Sequence, residues 1–299
     1  MPPGVVKITN DGEAGRHIKR SWRKGSRRRG SGLSRDELVA LAQSQRGRWW
    51  HSIDFGQGVV TQGGKSAEVL ERELAALELP PLKGKTVLDI GAWDGYFSFA
   101  AERLGASRVV ALDHFMWSID IDRQHAYRGE CERRGIAPKP YDEVPEVWRP
   151  DILPGKRGFD AAHRALGSRV ESVVADFMTT DLSELGQFDV VLYLGVLYHM
   201  KNPVEAMERV ARVTREAAFI ETEAVVLPGY EHVPLWEFFS SNELNADPTN
   251  WWAPNIRALV GLVHAAGFSR VDTTEDLADH AVMQPGRSNR YRTVVRAWK

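Results

Sequence analysis

Acidic residues placed after predicted strands are the side chains of this chain that point most clearly to a ligand. The stretch TVLDIGAWDG carries Asp89 at the end of an apolar run, with Gly91 and Gly95 in the turn that follows. Two further acids, Asp113 and Asp176, end the next two predicted strands. Glycine lets a turn approach a ligand closely, and the helix after such a turn offers free N–H groups. Because ligands of doubly wound sheets bind beyond the carboxyl ends of the strands, we expect these residues to share one site.

The charge of the first turn indicates which kind of ligand it holds. A dinucleotide site has a third glycine that seats a pyrophosphate, whereas this turn carries the carboxylates of Asp89 and Asp94. Such carboxylates would repel a pyrophosphate and suit a cation, and S-adenosylmethionine (SAM) carries both a sulfonium and an ammonium group. The pattern therefore predicts SAM as the cofactor and S-adenosyl-L-homocysteine (SAH) as its product.

The remaining cofactor contacts are predicted at the ends of the later strands. Asp113 follows Gly91 by 22 residues and could accept hydrogen bonds from both ribose hydroxyls, a geometry that NAD and SAM sites share. Asp176 could bind the adenine amino group, and Phe177 could face the adenine ring. Each acid alone could instead cap a helix, but their order on successive strands favours a nucleoside site. The predicted cofactor-binding set is completed by Ala92, Trp93, His114 and Gly195.

Methyl transfer to a hydroxyl oxygen needs a base, and the segment after the fourth predicted strand offers one. His199 in LGVLYHM lies beside the expected position of the methyl group, and an imidazole titrates near neutral pH. The same histidine could instead only orient its loop. Tyr198 is predicted to line the pocket. Glu221 and Glu223 share one face of the next strand, where one could bind the acceptor or act as the base, unless both are caps or surface acids.

The chain has ten tryptophans, and most of them fall outside the predicted strand cores. Aromatic loops could close over the site and hold an apolar acceptor, or they could only pin long loops in place by packing together. No histidine or cysteine spacing typical of a metal site occurs, and no metal is expected. The predicted substrate-binding residues are Trp49, Trp117, Glu223, Trp251, Trp252 and Arg292.

The hydrophobic pattern alternates between strands and helices from residue 86 onward. This alternation predicts a parallel sheet covered by helices on both faces, a doubly wound α/β fold, and two consecutive strands near the C-terminus favour an antiparallel finish. A long insertion, 114–157, interrupts the alternation, and a capping box from Ser34 to Glu37 starts a helix near residue 35. The predicted strands are 86–90, 108–112, 170–175, 188–194, 217–223, 268–274 and 290–298, and the predicted helices include 66–79, 96–105, 159–167, 203–214 and 255–267.

The composition is that of a soluble globular protein. Of 299 residues, 43% are hydrophobic and 26% are charged, and the single cysteine, Cys131, excludes an internal disulfide framework. No secretory signal opens the sequence and no apolar run is long enough to cross a membrane, so a cytoplasmic location is expected.

The charge is unevenly distributed along the chain. Residues 1–30 carry nine Lys/Arg and two acids, a charge of +7, so the net charge of -1 leaves -8 for the other 269 residues. This basic arm could contact RNA phosphates, or it could be a solvated, disordered leader. We therefore divide the chain into a flexible basic arm (1–30), an N-terminal helical cap (31–80) and a catalytic domain (81–299) that contains the insertion.

Several segments resemble a known family. TVLDIGAWDG resembles the first motif of class I SAM-dependent methyltransferases. FDVVLYLGVLYHMKNP and ELNADPTNWWAPN are similar to segments of a group that includes the tRNA wobble-uridine enzymes making 5-methoxyuridine and 5-carboxymethoxyuridine. The resemblance implies a seven-stranded Rossmann-like sheet with an antiparallel last strand, and SAM bound at Asp89, Gly91, Gly95, Asp113 and Asp176.

The resemblance also bears on the donor and the acceptor. The carboxymethyl-transferring enzymes of the group hold the extra carboxylate of carboxy-SAM with an upstream lysine, a tyrosine in GVLYH and an arginine near the C-terminus. Tyr198 and Arg292 match the last two, but no basic residue is evident in WWHSIDFGQG. We therefore expect methyl transfer from SAM to the hydroxyl of a small metabolite, such as a sugar or natural product. The alternatives are a tRNA wobble-uridine methyltransferase and a SAM-binding regulatory module.

Overall fold

The computed structural model describes residues 31–273 and 289–299, so the predicted basic arm lies outside the described residues. Within these residues the strands form one seven-stranded sheet and two sheets of two strands each. In chain order the strands are β1 (Asp54–Gly56), β2 (Val59–Val60), β3 (Thr86–Ile90), β4 (Arg108–Asp113), β5 (Glu171–Val174), β6 (Phe188–Leu194), β7 (Thr214–Val226), β8 (Trp236–Phe238), β9 (Trp252–Pro254), β10 (Arg270–Thr273) and β11 (Asn289–Trp298).

Seven of these strands form one sheet in the order β10-β11-β7-β6-β3-β4-β5. Neighbouring strands are parallel except for the two pairs that include β11, which is antiparallel to both β7 and β10. The predicted seven-stranded α/β sheet with an antiparallel last strand is therefore confirmed. The chain leaves β3 toward β4 and later returns on the other side of β3 as β6. In doubly wound sheets ligands bind where the strand order reverses, which here is at the carboxyl ends of β3 and β6.

Helices cover both faces of the sheet, which is why the central strands are apolar along almost their whole length. One hydrophobic core contains Phe99 and Phe159, and the other contains Met207 and Leu259. The helices are α1 (Arg35–Ser44), α2 (Ala67–Ala76), α3 (Tyr96–Arg103), α4 (Phe115–Ser118), α5 (Ile121–Arg134), α6 (Arg157–Leu166), α7 (Pro203–Val213) and α8 (Ile256–Ala265).

The N-terminal part, residues 31–80, contains α1, α2 and the hairpin of β1 and β2. The expected capping box is present, since the Ser34 side chain accepts from the backbone of Glu37 and the Glu37 side chain accepts from the backbone of Ser34. The hairpin was not predicted, because its strands are only two and three residues long. The division of the chain at residue 80 stays a prediction.

Strand β7 is longer than predicted and ends at Val226 rather than at residue 223. It pairs with β11 from Ala217 opposite Trp298 to Val226 opposite Asn289, so its backbone hydrogen bonds are satisfied over that whole length. Its parallel neighbour β6 ends earlier, with Leu194 opposite Glu221. The strand therefore extends past the end of β6.

The insertion 114–157 contains a helix of 14 residues, α5, that the sequence pattern did not indicate. The helix is strongly polar, so it lacks the apolar stripe by which helices are recognised. Its ends carry ordinary signals: the Asp120 side chain caps the first turn, and Gly135 ends the helix with a φ of 63°. Within the described residues, no helix is both long enough and apolar enough to cross a membrane.

Candidate active site

The turn after β3 lies directly against the turn after β6. Gly91 has a φ of +79°, and a Cβ at this position would come within 2.5 Å of the Val196 side chain. Gly95 has a φ of +87° and is crowded by Phe99 and Phe159. Only glycine fits such positions without displacing a neighbour, so the two glycines of the motif are required by packing as well as by conformation.

Asp113 organises this turn from the end of β4. Its two carboxylate oxygens accept hydrogen bonds from the backbone N–H groups of Trp93 at 2.9 Å and Met116 at 3.0 Å. The backbone N–H of Trp117 also interacts with this carboxylate. A carboxylate has about four acceptor positions, so at least one remains for a further donor. The geometry is compatible with a predicted hydrogen bond to a ribose hydroxyl.

Asp89 lies beneath the same turn and accepts a hydrogen bond from Ser98 Oγ at 2.5 Å. Burial raises the pKa of Asp89 to about 6 and that of Asp113 to about 6, because a carboxylate loses hydration inside the protein. Both acids are nearly inaccessible to solvent, with exposed fractions of 3% and 4%. Their charge is therefore concentrated in a region of low dielectric constant, close to the proposed position of a cationic ligand.

The raised pKa values predict how stability depends on pH. In an unfolded chain an aspartate titrates near pH 3.9, so the folded protein binds more protons than the unfolded chain between about pH 4 and 6. The contribution of Asp89 to stability therefore falls as pH rises through this window. We expect Asp89→Asn to raise Tm above that of the unmodified protein at pH 7.5 and to lose most of this gain at pH 4.5.

Calorimetric melting at the two pH values tests this expectation. Glu171→Gln is a matched control, because Arg108 lowers the pKa of Glu171 through a hydrogen-bonded ion pair and no gain is expected from its removal. A gain in Tm from Asp89→Asn that is equally large at both pH values would contradict a raised pKa for Asp89.

The Asp94 carboxylate is buried and engaged by residues of the N-terminal part, contrary to its predicted part in repelling a pyrophosphate. One of its carboxylate oxygens accepts from the backbone N–H groups of Trp50 and His51, both at 2.9 Å, and the other contacts Nδ1 of His51. Nothing near TVLDIGAWDG in the sequence indicates these partners, which lie 43 and 44 residues upstream. The carboxylates beside the crevice are those of Asp89 and Asp113.

The other predicted cofactor residues differ in their contacts and burial. His114 contacts Trp148 edge-to-face at 5.2 Å between ring centroids. Asp176 Oδ1 accepts from the backbone N–H of Met178 at 2.8 Å, as in a turn. Phe177 is buried and packs against Tyr193 at 5.6 Å, so its ring belongs to the core rather than to an open adenine surface. Of the loop residues, Ala92 is buried and Trp93 is half-buried.

Beyond the end of β6, the structure brings together five residues that were predicted separately. Arg292 donates to both carboxylate oxygens of Glu221, with Nη2 at 2.6 Å from Oε2, and its Nη1 lies 2.8 Å from Glu223 Oε1. The guanidinium lies 5.2 Å from the centroid of the Tyr198 ring. A Cβ at Gly195 would lie 3.5 Å from both Arg292 and Tyr198 Oη. The Gly195 backbone therefore lies directly against this group.

In this group one guanidinium forms ion pairs with two carboxylates. Burial opposes the charge on Arg292, but its hydrogen bonds to Glu221 and the charge of that carboxylate raise its pKa well above the usual range. Burial also raises the pKa of Tyr198, so its hydroxyl stays protonated at neutral pH. Glu223 is held further by Asn245, whose side chain donates to Oε1 at 2.9 Å.

His199 is held by residues that sequence reasoning missed. Its Nδ1 lies 3.0 Å from the carbonyl oxygen of Thr249 and 3.0 Å from Thr249 Oγ1, and that hydroxyl donates to Asp247 Oδ1 at 2.7 Å. A carbonyl oxygen only accepts, so Nδ1 carries the proton and Nε2 is the basic nitrogen. Burial lowers the pKa of His199, although Asp247 partly opposes this shift. DPTNWWAPN was recognised as a distinctive segment, but its spacing gives no sign that it meets His199.

The predicted tryptophans are divided between the core and the site. Trp49 and Trp117 are buried, with Trp49 Nε1 donating to Ala42 O and Trp117 Nε1 donating to Trp93 O. Trp251 adjoins the site, since its backbone N–H donates to Tyr198 O at 2.8 Å. Trp252 belongs to β9 and packs against aromatic side chains of β8. We retain Trp251 as a candidate substrate contact and leave Trp49 and Trp117 out of the site. Across residues 31–273 and 289–299, no cluster of His, Cys, Asp and Glu could hold a metal ion.

A crevice at the switch point of a doubly wound sheet, with a glycine turn and strand-end acids, is the arrangement of class I methyltransferases. A methyltransferase domain family matches residues 64–273. The chain belongs to this family, and the predicted enzyme class, a SAM-dependent methyltransferase, is confirmed.

Relatives and solved structures add two comparisons. The tRNA U34 carboxymethyltransferase of Desulfotalea psychrophila is 26% identical over 206 residues, which cover 68% of this chain and 51% of that protein. The enzyme of the same name from Mannheimia succiniciproducens is 22% identical over 196 residues, or 64% and 48% of the two chains. The chain thus spans about half the length of these curated relatives.

Similarity to solved structures supports the fold. The N-terminal domain of EvdMO1 with SAH bound is 18% identical and has a TM-score of 0.58, with 90% of this chain and 98% of that chain covered. The same domain in the presence of SAH and D-fucose is 19% identical and has a TM-score of 0.57, with 89% and 98% covered.

Proposed function

We propose that this protein transfers a methyl group from SAM to a hydroxyl oxygen of a small polar acceptor, such as a sugar or a hydroxylated natural product. The observation that carries the proposal is the state of His199, whose Nδ1–H is held by the Thr249 carbonyl and whose pKa is lowered by burial. An imidazole in this state is neutral at pH 7 and presents Nε2 as a base. A hydroxyl acceptor needs such a base, because its proton must leave as the new bond to carbon forms.

The residues around the crevice fit SAM. Asp113 keeps acceptor capacity for the ribose, and the turn that contains Gly91 and Gly95 can lie close to a ligand. The buried carboxylates of Asp89 and Asp113 favour a cationic ligand over a phosphate. When bound, SAM supplies an activated methyl group on a positively charged sulfur.

The task of the protein is then to align the acceptor and to remove its proton. Positioning of reactants can account for about 7–11 kcal/mol of barrier reduction. In the proposed mechanism, His199 Nε2 accepts the acceptor's hydroxyl proton, and Thr249 and Asp247 hold the ring in place through Nδ1. Tyr198 and Glu221 border the acceptor's position, and their hydroxyl and carboxylate can orient its polar groups.

The state of Arg292 favours SAM over carboxy-SAM as the donor. A carboxylate on the donor would have to compete with Glu221 and Glu223, which already surround the guanidinium. The group as a whole carries one positive and two negative charges, so it does not favour a further anion. This agrees with the missing basic residue in WWHSIDFGQG.

A tRNA wobble uridine is the second candidate acceptor. It is favoured by the names of the curated relatives, which are tRNA U34 carboxymethyltransferases, and by the +7 charge of residues 1–30. A small acceptor is favoured by the net charge of -8 on the rest of the chain, because that part of the protein would repel RNA phosphates. The presence of D-fucose with the EvdMO1 domain makes a deoxysugar a reasonable first compound to assay. We propose a cytoplasmic location, since a single cysteine fits a reducing compartment.

Labelled methyl transfer distinguishes the two acceptors. The protein is incubated with SAM carrying a deuterated methyl group and either a pool of small metabolites or unmodified tRNA, and products are identified by mass spectrometry. We expect label in an ether of a small molecule. Label confined to tRNA nucleosides would overturn the small-molecule proposal.

Deletion of residues 2–30 gives an independent prediction. A small-molecule enzyme should keep turnover within about threefold after losing the basic arm, because the arm would contribute only phosphate contacts. A tRNA enzyme that uses the arm should lose RNA affinity, and the intact protein should show a steep dependence of that affinity on salt. Turnover and filter-binding assays at two salt concentrations separate these outcomes.

A further inference from the structure

The turn that carries Trp93 is held from several sides. Trp93 has a φ of +49°, which is uncommon for a bulky residue. Its backbone N–H donates to Asp113, its carbonyl accepts from Trp117 Nε1 at 2.6 Å, and its ring stacks on Trp50 with centroids 4.9 Å apart. The surroundings thus impose a conformation that the residue would rarely adopt by itself.

One of these restraints comes from a distant part of the chain, which we call the strap and define as residues 49–53. Asp94 accepts two backbone hydrogen bonds from Trp50 and His51 and contacts the His51 ring, and both Asp94 and His51 are buried. The strap is fixed on its other side to the segment just before α2, where Lys65 N donates to Trp50 O at 2.8 Å. Asp94 therefore joins the turn to a segment that is itself anchored.

We propose that Asp94 and the strap hold the turn of residues 91–95 in its cofactor-binding conformation, so that Asp94 is a positioning residue and makes no contact with the cofactor. This inference rests on the proposed place of SAM at that turn. If the turn adopts its binding conformation only part of the time, the measured dissociation constant rises in inverse proportion to that fraction. Loss of the strap contact should therefore weaken cofactor binding without removing any group that touches the cofactor.

Calorimetric titration of variants with SAH tests the proposal. Asp94→Ala removes all three acceptor contacts and should raise the Kd for SAH about tenfold or more. A tenfold rise corresponds to a turn that adopts its binding conformation in about a tenth of the molecules. Asp94→Asn keeps an oxygen that can accept from both backbone N–H groups and should restore most of the affinity. Glu73→Ala is the matched control: it breaks the Lys65–Glu73 ion pair beside the same segment, and the Kd should not change.

Hydrogen exchange on the unmodified protein provides a test that no folding defect can obscure. SAH should slow amide exchange of a peptide spanning residues 49–55 by about fivefold, because the strap and the turn are ordered together. Unchanged exchange in this peptide while residues 91–95 become protected would overturn the proposal, as would an Asp94→Ala protein that binds SAH like the unmodified one. Failure of the unmodified protein to bind SAH would instead refute the proposed function.

Discussion

Replacing His199 with glutamine should lower kcat by about 10²–10⁴-fold, the range that a positioned general base contributes. Glutamine can still donate a hydrogen bond to the Thr249 carbonyl, so the loop should keep its geometry while the basic nitrogen is lost. The KM for SAM should change by less than about threefold, because the imidazole has no role in holding the nucleoside. Steady-state kinetics with the acceptor identified by labelled transfer measure both parameters.

The pH dependence of kcat/KM gives the His199 prediction a second readout. Burial lowers the pKa of His199, so the basic form persists below pH 6.5 and the acidic limb of the profile should lie below that value. Asp247, Arg292, Glu223 and Tyr198 are the other titratable or charged groups close to this imidazole. Asp89 and Asp113 also titrate near pH 6, so the profile is measured as kcat/KM for the acceptor at saturating SAM, where the bound cation keeps both carboxylates ionised. Under these conditions the limb should disappear in His199→Gln. A glutamine variant with nearly full turnover would show that His199 only supports the loop that contains Thr249.

Replacing Asp113 with alanine should raise the Kd for SAH about 100-fold. A hydrogen bond from a ribose hydroxyl to a charged carboxylate contributes about 1.5–3 kcal/mol, and about 1.4 kcal/mol corresponds to a tenfold change in affinity. The variant also leaves the N–H groups of Trp93 and Met116 without their acceptor, which adds to the loss. Isothermal titration calorimetry with SAH measures the effect directly.

The control for Asp113 is a carboxylate at the opposite ends of the same parallel strands. Glu171 begins β5 and pairs with Arg108 at the amino ends of the parallel strands, so Glu171→Ala should leave the Kd for SAH unchanged. Unchanged affinity in Asp113→Ala would mean that the nucleoside is held elsewhere. It would remove the main support for the proposed cofactor position.

The order of elements could be predicted because local patterns specify them. Apolar runs such as TVLDI and FDVVLYL become β3 and β6, buried on both faces, and the Ser34 capping box begins α1 as expected. The length of β7 could not be predicted, since its last residues are ordered by pairing with β11, far away in the sequence. The polar helix α5 was missed because it has caps but no strong hydrophobic period.

The candidate site shows the same division between local and long-range information. The residue types at TVLDIGAWDG and LGVLYHM indicate a methyltransferase crevice, and Tyr198, Glu221, Glu223 and Arg292 do lie together. The charge state of that group, however, depends on β11 running antiparallel beside β7, which places Arg292 opposite Glu223. Phe177 and Trp117 were expected at ligands and lie in the core instead, because aromatic residues near strand ends are equally suited to packing.

Residue pattern alone was sufficient for the fold class and the cofactor class, since glycine turns, strand-end acids and apolar periodicity express backbone and charge requirements within one short segment. Folding in three dimensions was needed to direct Asp94 toward His51, to join His199 to Thr249 and Asp247, and to pair Arg292 with two glutamates. These contacts join segments that are 43 to 71 residues apart, except for the short Thr249–Asp247 link. A hydrogen bond between such segments depends on where the whole chain places its two ends, and no local pattern carries that information.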